Sequence, residues 1–182
     1  MRVIAGRCAG TRLASPHGGD TRPLTDRVKE SLFGALEPRL SGANVLDLYA
    51  GSGAAGIEAL SRGAARAVFV ERSRTAAEAI AANLARTGLV SEARVVVGEV
   101  ERFLAGEPDE GYHVAILDPP YDTAVDEATL RRLAAWLTGD GVAVVKHFWR
   151  TSPESERFEA LRTRRFGETT LTFLQPLATE GR

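Results

Sequence analysis

A chain of 182 residues with formal net charge -1 fits one compact domain that buries roughly two thirds of its unfolded surface, and no apolar stretch approaches the ~20 residues of a membrane span. Its single cysteine excludes an internal disulfide, and Cys8 lacks the Cys/His neighbours of a zinc site, so it reads as a buried small apolar residue in a reducing compartment. No apolar signal region opens the chain, and the expectation is a soluble, cytoplasmic monomer with no metal and no membrane contact.

The balance of charge hides an uneven distribution. Residues 1–39 hold seven Lys/Arg against four Asp/Glu, residues 146–165 hold six against three, and residues 40–145 hold nine against fifteen. Basic ends around an acidic middle are compatible with a nucleic-acid partner, because phosphate contacts depend on local clusters of cations more than on total charge.

In chain order, residues 2–13, centred on Gly6 and Gly10, suit a short glycine-broken β-ribbon, and a loop with Pro16, Gly18 and Gly19 follows. Residues 21–30 lead into a helix whose Val28, Leu32, Phe33 and Leu36 pack inward, which sets Arg27 and Lys29 off the core side. Strand-length apolar runs then stand at 45–50, 67–70, 94–97, 113–117 and 142–145. Between them helical periodicity marks 74–87, with Ala77, Ile80, Ala81 and Leu84 on one face, and 126–137, with Leu130, Leu133, Ala134 and Leu137 on one face. Residues 106–111 form a polar loop, and residues 163–166 and 169–174 around Gly167-Glu168 read as a hairpin that closes the sheet antiparallel. The alternation predicts an α/β fold with a mostly parallel sheet, right-handed crossovers and helices on both faces. Ligands of such sheets bind beyond the carboxyl ends of the strands.

Three acidic residues and a glycine triplet stand at those ends. The first strand runs into Gly51, Gly53 and Gly56, a Gly-x-Gly-x-x-Gly between strand and helix that permits a tight turn and close approach to a ligand. The triplet alone also fits a nicotinamide or flavin dinucleotide. Asp47, before the glycines, would repel a pyrophosphate but can neutralise a cationic amino-acid moiety, and Glu71 ends the second strand where it can bond a ribose diol. An adenosine with a cationic amino-acid tail is S-adenosylmethionine. Glu99 follows the third strand, where it could meet an adenine amino group or serve a helix N-terminus.

Asp118-Pro119-Pro120-Tyr121 closes the fourth strand. An exocyclic base amine is a poor nucleophile because its lone pair is delocalised into the ring. Hydrogen bonds from that amine to the Asp118 carboxylate and to a carbonyl, that of Pro119 above all, favour a tetrahedral nitrogen, and the prolines hold the acceptors pre-aimed. Tyr121 can stack on a base taken out of its helix.

Residues 2–6, 21–33, 47–56, 57–63 and 118–121 together resemble the RsmD family, bacterial methyltransferases acting on N2 of a guanine in 16S ribosomal RNA. The resemblance covers roughly residues 1–175. It implies a class I S-adenosylmethionine-dependent methyltransferase fold, Rossmann-like with a seven-stranded sheet, an N-terminal hairpin extension over 1–39 that faces RNA, and a catalytic core over 40–182. It implies S-adenosylmethionine as donor, S-adenosylhomocysteine as product, and the small ribosomal subunit or its assembly intermediate as partner. By position it assigns cofactor contacts to Asp47, Gly51, Gly53 and Glu71, with Ser52, Gly56, Arg72, Glu99 and Val100 in the same pocket, and the target amine to Asp118 through Tyr121. Arg22 and Arg27 would lie by the mouth of the site, and Lys29 would join them on the RNA. Two departures stand out: Glu99 replaces the commoner Asp, and Lys146-His147 stands where the family tends to carry a carboxylate, so that Lys146 becomes a candidate for holding RNA. An adenine-N6 DNA methyltransferase also carries Asp-Pro-Pro-Tyr, but about 180 residues leave little room for a target-recognition domain. A non-catalytic RNA-binding assembly factor is the third reading, disfavoured by Asp47, Glu71 and Asp118. His17, His113 and His147 pair with no visible nucleophile and read as structural. Trp149 with Arg150 reads as an exposed cap more than a base platform.

Overall fold

The computed structural model describes residues 1–15, 25–120 and 123–178. The strands are β1 (Asn44–Leu48), β2 (Arg66–Glu71), β3 (Ala93–Val97), β4 (Tyr112–Leu117), β5 (Leu137–Phe148), β6 (Phe158–Phe166) and β7 (Thr169–Pro176). They form one seven-stranded sheet in the order β3-β2-β1-β4-β5-β7-β6. The pairs from β3 through β5 are parallel, while β7 runs antiparallel between β5 and β6. This is the class I methyltransferase arrangement expected of the chain, closing hairpin included.

Helices α1 (Asp26–Leu40), α2 (Ala54–Ser61) and α3 (Arg74–Thr87) cover one face of the sheet, and α4 (Val100–Leu104) and α5 (Glu127–Ala134) cover the other. The two apolar layers follow from strand alternation: Val45, Phe69, Ile116 and Val144 pack towards α1 to α3, while Leu46, Val68, Leu117 and Val145 pack towards α4 and α5. Thr25, Ser73 and Asp126 cap α1, α3 and α5 by accepting from the backbone three residues on.

Three boundaries differ from the periodicity, one of them the start of β6 at Phe158 rather than 163. α5 ends at Ala134 rather than 137, because Leu137 pairs with Tyr112 and opens β5 five residues before Val142. A Leu that continues a helical stripe also suits a buried strand position, and the pairing with β4 decides between them. The N-terminal ribbon is short: one bridge, Arg2 to Arg12, with flanking bonds from Val3 to Thr11 and from Leu13 to Met1. Gly6, at φ 82, is pressed onto α2, and a Cβ there would stand 1.9 Å from the Ser61 carbonyl oxygen. Cys8 is half-buried rather than fully buried, its thiol donating to the Thr87 carbonyl.

Lys29 corrects the expectation that it faces RNA. Its side chain is fully buried, with Nζ 3.0 Å from the Glu58 carboxylate and 2.8 Å from the Arg2 carbonyl oxygen. Glu58, equally buried on α2, also accepts from the amides of Ile4 and Ala5 and from Arg62. Burial alone would raise the Glu58 carboxyl, yet the Ile4 amide, Lys29 and Arg62 together hold it below its usual range. A carboxylate with this many donors tolerates the core, and it ties the first residues of the chain, α1 and α2 into one body. Lys29→Met is expected to lower the free energy of unfolding in urea by about 3–5 kcal/mol, since it leaves a buried charge with fewer partners. A loss within ~0.5 kcal/mol, the range of an ordinary surface substitution, would contradict this network.

Candidate active site

The carboxyl ends of β2, β1 and β4 lie side by side, and each presents one carboxylate. Asp47, 1% exposed, accepts a 2.8 Å hydrogen bond from the Gly56 amide in the first turn of α2. Glu71 accepts 2.8 Å bonds from the amides of Gly51 and Ser73. Asp118, whose amide donates to the Leu48 carbonyl, meets the ammonium of Lys146 through Oδ1.

The glycine triplet is explained by three different constraints. Gly51, at φ 56, has open space where a Cβ would point, so that side of the loop is accessible to a ligand. Gly53, at φ 74, starts α2 in a left-handed conformation. Gly56 lies so close to β2 that a Cβ would stand 2.3 Å from the Phe69 ring and 3.1 Å from Asp47 Oδ2. Tyr49, between Asp47 and the glycines, also takes a positive φ of 59, and its hydroxyl donates to Glu101 at 2.6 Å. Burial, then Glu101, push its phenol well above the usual range. No sequence pattern marks this strained tyrosine. Asn83 is equally unmarked: buried on α3, it donates to the carbonyls of Ser52 and Ala14 and accepts from the Ala14 amide, which ties the glycine loop to the N-terminal segment.

Burial raises the Asp47 carboxyl to about 8 despite the Gly56 amide, with Asp118 and Glu71 pushing it further. Burial also raises Asp118, and Lys146 opposes the rise. Two carboxyls raised by one low-dielectric crevice are a functional-site signature. The chemistry of the donor set suits an adenosine with a cationic tail: carboxylates for an ammonium and a diol, with an open glycine edge between them.

Asp118, with its side chain 24% exposed, is followed by a cavity of about 170 Å3 lined by Pro119, Pro120, Val125, Lys146, Phe148 and Pro153 among others. Lys146 was expected to hold RNA; it is instead 8% exposed and paired with Asp118. Glu99 stands at the N-cap of α4 without capping it by its side chain and is exposed, while Val100 is buried in the α4 layer and Arg72 is exposed. Ser52 is nearly buried, its carbonyl engaged by Asn83. Arg27 is exposed on α1. Arg22, Tyr121 and His17 lie outside the described residues. His113 accepts from the Asn44 amide, and His147 bonds Thr172 and the Phe148 carbonyl. Trp149 lies under the guanidinium groups of Arg165 and Arg150, at 4.1 and 4.7 Å from its ring centroid.

Residues 1–175 match the family model described as Conserved hypothetical protein 95. The ribosomal RNA small subunit methyltransferase D of Escherichia coli K12 is 39% identical over 150 residues, 80% of this chain and 74% of the relative. The chain belongs to the RsmD family. Another relative of the same name, from Haemophilus influenzae, is 34% identical over 80% of this chain and 78% of its own. Among solved structures, the RsmD-like chain is similar to yhhF of Escherichia coli, with TM-score 0.87, 33% identity and coverage of 98% and 99% of the two chains. Fold and family are those of a methyltransferase, and the match extends through the N-terminal segment as well as the sheet.

The raised Asp47 carboxyl has a consequence for stability. A folded-state pKa of about 8 against 3.8 means that the folded protein holds this proton more tightly than the unfolded chain. Its contribution is therefore complete below about pH 4 and is lost as the pH rises towards about 8. Urea titrations of the ligand-free protein are expected to show stability falling between about pH 5 and about pH 8 more steeply than in Asp47→Asn. Parallel slopes would contradict the protonated state of Asp47.

Proposed function

We propose that the protein transfers a methyl group from S-adenosylmethionine to the exocyclic N2 amine of a guanine in 16S ribosomal RNA of the small subunit. The observation that carries this reading is Asp118, with a raised carboxyl and two following prolines, at the junction of the glycine-loop crevice and the cavity beyond β4. The RsmD family and its relatives named for small-subunit ribosomal RNA support the substrate class.

In this reading Asp47 faces the ammonium of the cofactor and Glu71 its ribose hydroxyls. Gly51, Ser52 and Gly53 offer backbone to the amino-acid end, and Arg72, Glu99 and Val100 border the adenine. When bound, S-adenosylmethionine supplies an electrophilic methyl group on a sulfonium. The Asp118 carboxylate accepts a hydrogen bond from the guanine amine, and the Pro119 carbonyl accepts a second, which localises the nitrogen lone pair. Asp118, its pKa raised by burial, is also suited to receive the proton that the methylated nitrogen releases. The apolar walls of Pro119, Pro120, Val125 and Phe148 exclude water from the base, and Tyr121 stacks on it. Residues 1–39 serve as an RNA-facing extension, with the exposed Arg27 available to phosphate. The protein acts as a cytoplasmic monomer.

An adenine-N6 reading has one observation in its favour: similarity to a tRNA1(Val) (adenine(37)-N6)-methyltransferase of Shewanella putrefaciens, 34% identical over 112 residues, 60% of this chain and 45% of the relative. Mass spectrometry of nucleosides from 30S particles and from transfer RNA, each purified from cells lacking the enzyme and incubated with the pure protein, separates the two. N2-methylguanosine in the 30S RNA is expected, and N6-methyladenosine would overturn the guanine assignment. Asp118→Ala is expected to lower the transfer rate by at least about 100-fold, with S-adenosylhomocysteine affinity changed less than about threefold. Retained activity would sink the mechanism.

A further inference from the structure

We propose that Lys146 is a positioning residue for methyl transfer, whose ammonium keeps Asp118 in its charged state and occupies Oδ1, so that Oδ2 is left to the target amine. This rests on the role of Asp118 proposed above.

Strand register creates the pair. In the parallel β4–β5 ladder Leu117 lies opposite Val145, so the next residues, Asp118 just past the end of β4 and Lys146 still within β5, lie side by side. Lys146 is also held from the other side, its backbone lying opposite Leu171 of β7. A lysine in the middle of a sheet, 8% exposed, is neither a flexible surface cation nor available to sweep for phosphates. Lys146 lines the same cavity as Pro119 and Pro120.

The surroundings make the charge on Lys146 consequential. From β1, Asp47 is a second buried carboxyl coupled to Asp118, and from β2, Glu71 acts on Asp47 while bonded to Gly51. On β5, His147 turns to Thr172. On α1, Lys29 is committed to Glu58, and Asp26 is paired with Arg2. Lys146 is thus the cation in direct contact with Asp118 among the described residues. Without it, burial favours a protonated Asp118. A protonated carboxyl cannot take up the proton that the amine loses, and one of its oxygens becomes a donor facing a donor.

The sign of the expected effect follows. The charged form of Asp118 is required, so activity falls on the acid side of its pKa, and removal of Lys146 moves that limb to higher pH. In Lys146→Met the acid limb of kcat is expected to shift upward by at least about one pH unit, the size of effect an adjacent opposite charge exerts. The kcat at about pH 7 should fall at least about 10-fold, with KM for RNA and S-adenosylhomocysteine affinity within about threefold of the parent. Lys146→Arg is expected to restore the limb. If Lys146→Met does not fold, Lys146→Gln carries the same test, removing the charge while keeping a polar side chain. A readout independent of turnover is the carboxyl 13C shift of Asp118 in the ligand-free protein, whose titration should move upward in the same variant.

An unchanged acid limb and carboxyl titration in Lys146→Met, with Asp118→Ala inactive, would overturn this inference and leave the role of Asp118 standing. A raised KM for RNA with a weaker salt dependence and an unchanged limb would make Lys146 a phosphate contact and likewise overturn it. Activity in Asp118→Ala would remove the parent reading and this one together.

Discussion

The structure depends on bringing three carboxylates into one crevice without letting them repel one another apart. Parallel pairing of β1 with β2 and β4 places Asp47, Glu71 and Asp118 at neighbouring strand ends, and burial makes the charges of Asp47 and Asp118 costly. Each is held by a donor: Gly56 of the glycine triplet for Asp47, Gly51 of the same triplet for Glu71, and Lys146 of β5 for Asp118. The glycine loop takes its shape from the first two of these bonds. Its left-handed glycines and the strained Tyr49 persist because the carboxylates over-determine the path of the backbone between β1 and α2.

The same device recurs at Glu58. There a buried carboxylate gathers Lys29, Arg62 and two amides of the N-terminal segment, so that the first residues of the chain are fixed to α1 and α2. Asn83 carries the connection onward, from Ala14 to Ser52 in the glycine loop. The N-terminal segment is therefore built into the wall of the crevice.

Strand ends and loop glycines are legible in the sequence because they obey local rules: apolar runs of strand length, then a carboxylate, then glycine. Pairings between distant residues are not, and the two lysines illustrate this. Lys29 follows Val28 on the helix, which suggests an outward face, yet it also continues the stripe of Phe33, Leu36 and Leu40, all buried. Glu58, a lone acid in an otherwise apolar helix, is the matching signal, and only tertiary packing joins them. Lys146 is legible as a cation after a strand, but its contact with Asp118 depends on β4–β5 register. The end of α5 shows the limit of periodicity, since Leu137 satisfies both a helical stripe and a buried strand.

In the proposed reading, buried Asp47 holds a proton in the ligand-free protein and surrenders it when a cationic amino-acid moiety docks beside it. With a pKa of about 8, Asp47 is mostly protonated at about pH 7, and docking of an ammonium beside it favours the ionised form. Calorimetric titration with S-adenosylhomocysteine at about pH 7, in buffers of different ionisation enthalpy, counts protons exchanged on binding. The account predicts release of about one proton per ligand, lost in Asp47→Asn. Binding without proton release, or with the same release in Asp47→Asn, would contradict it.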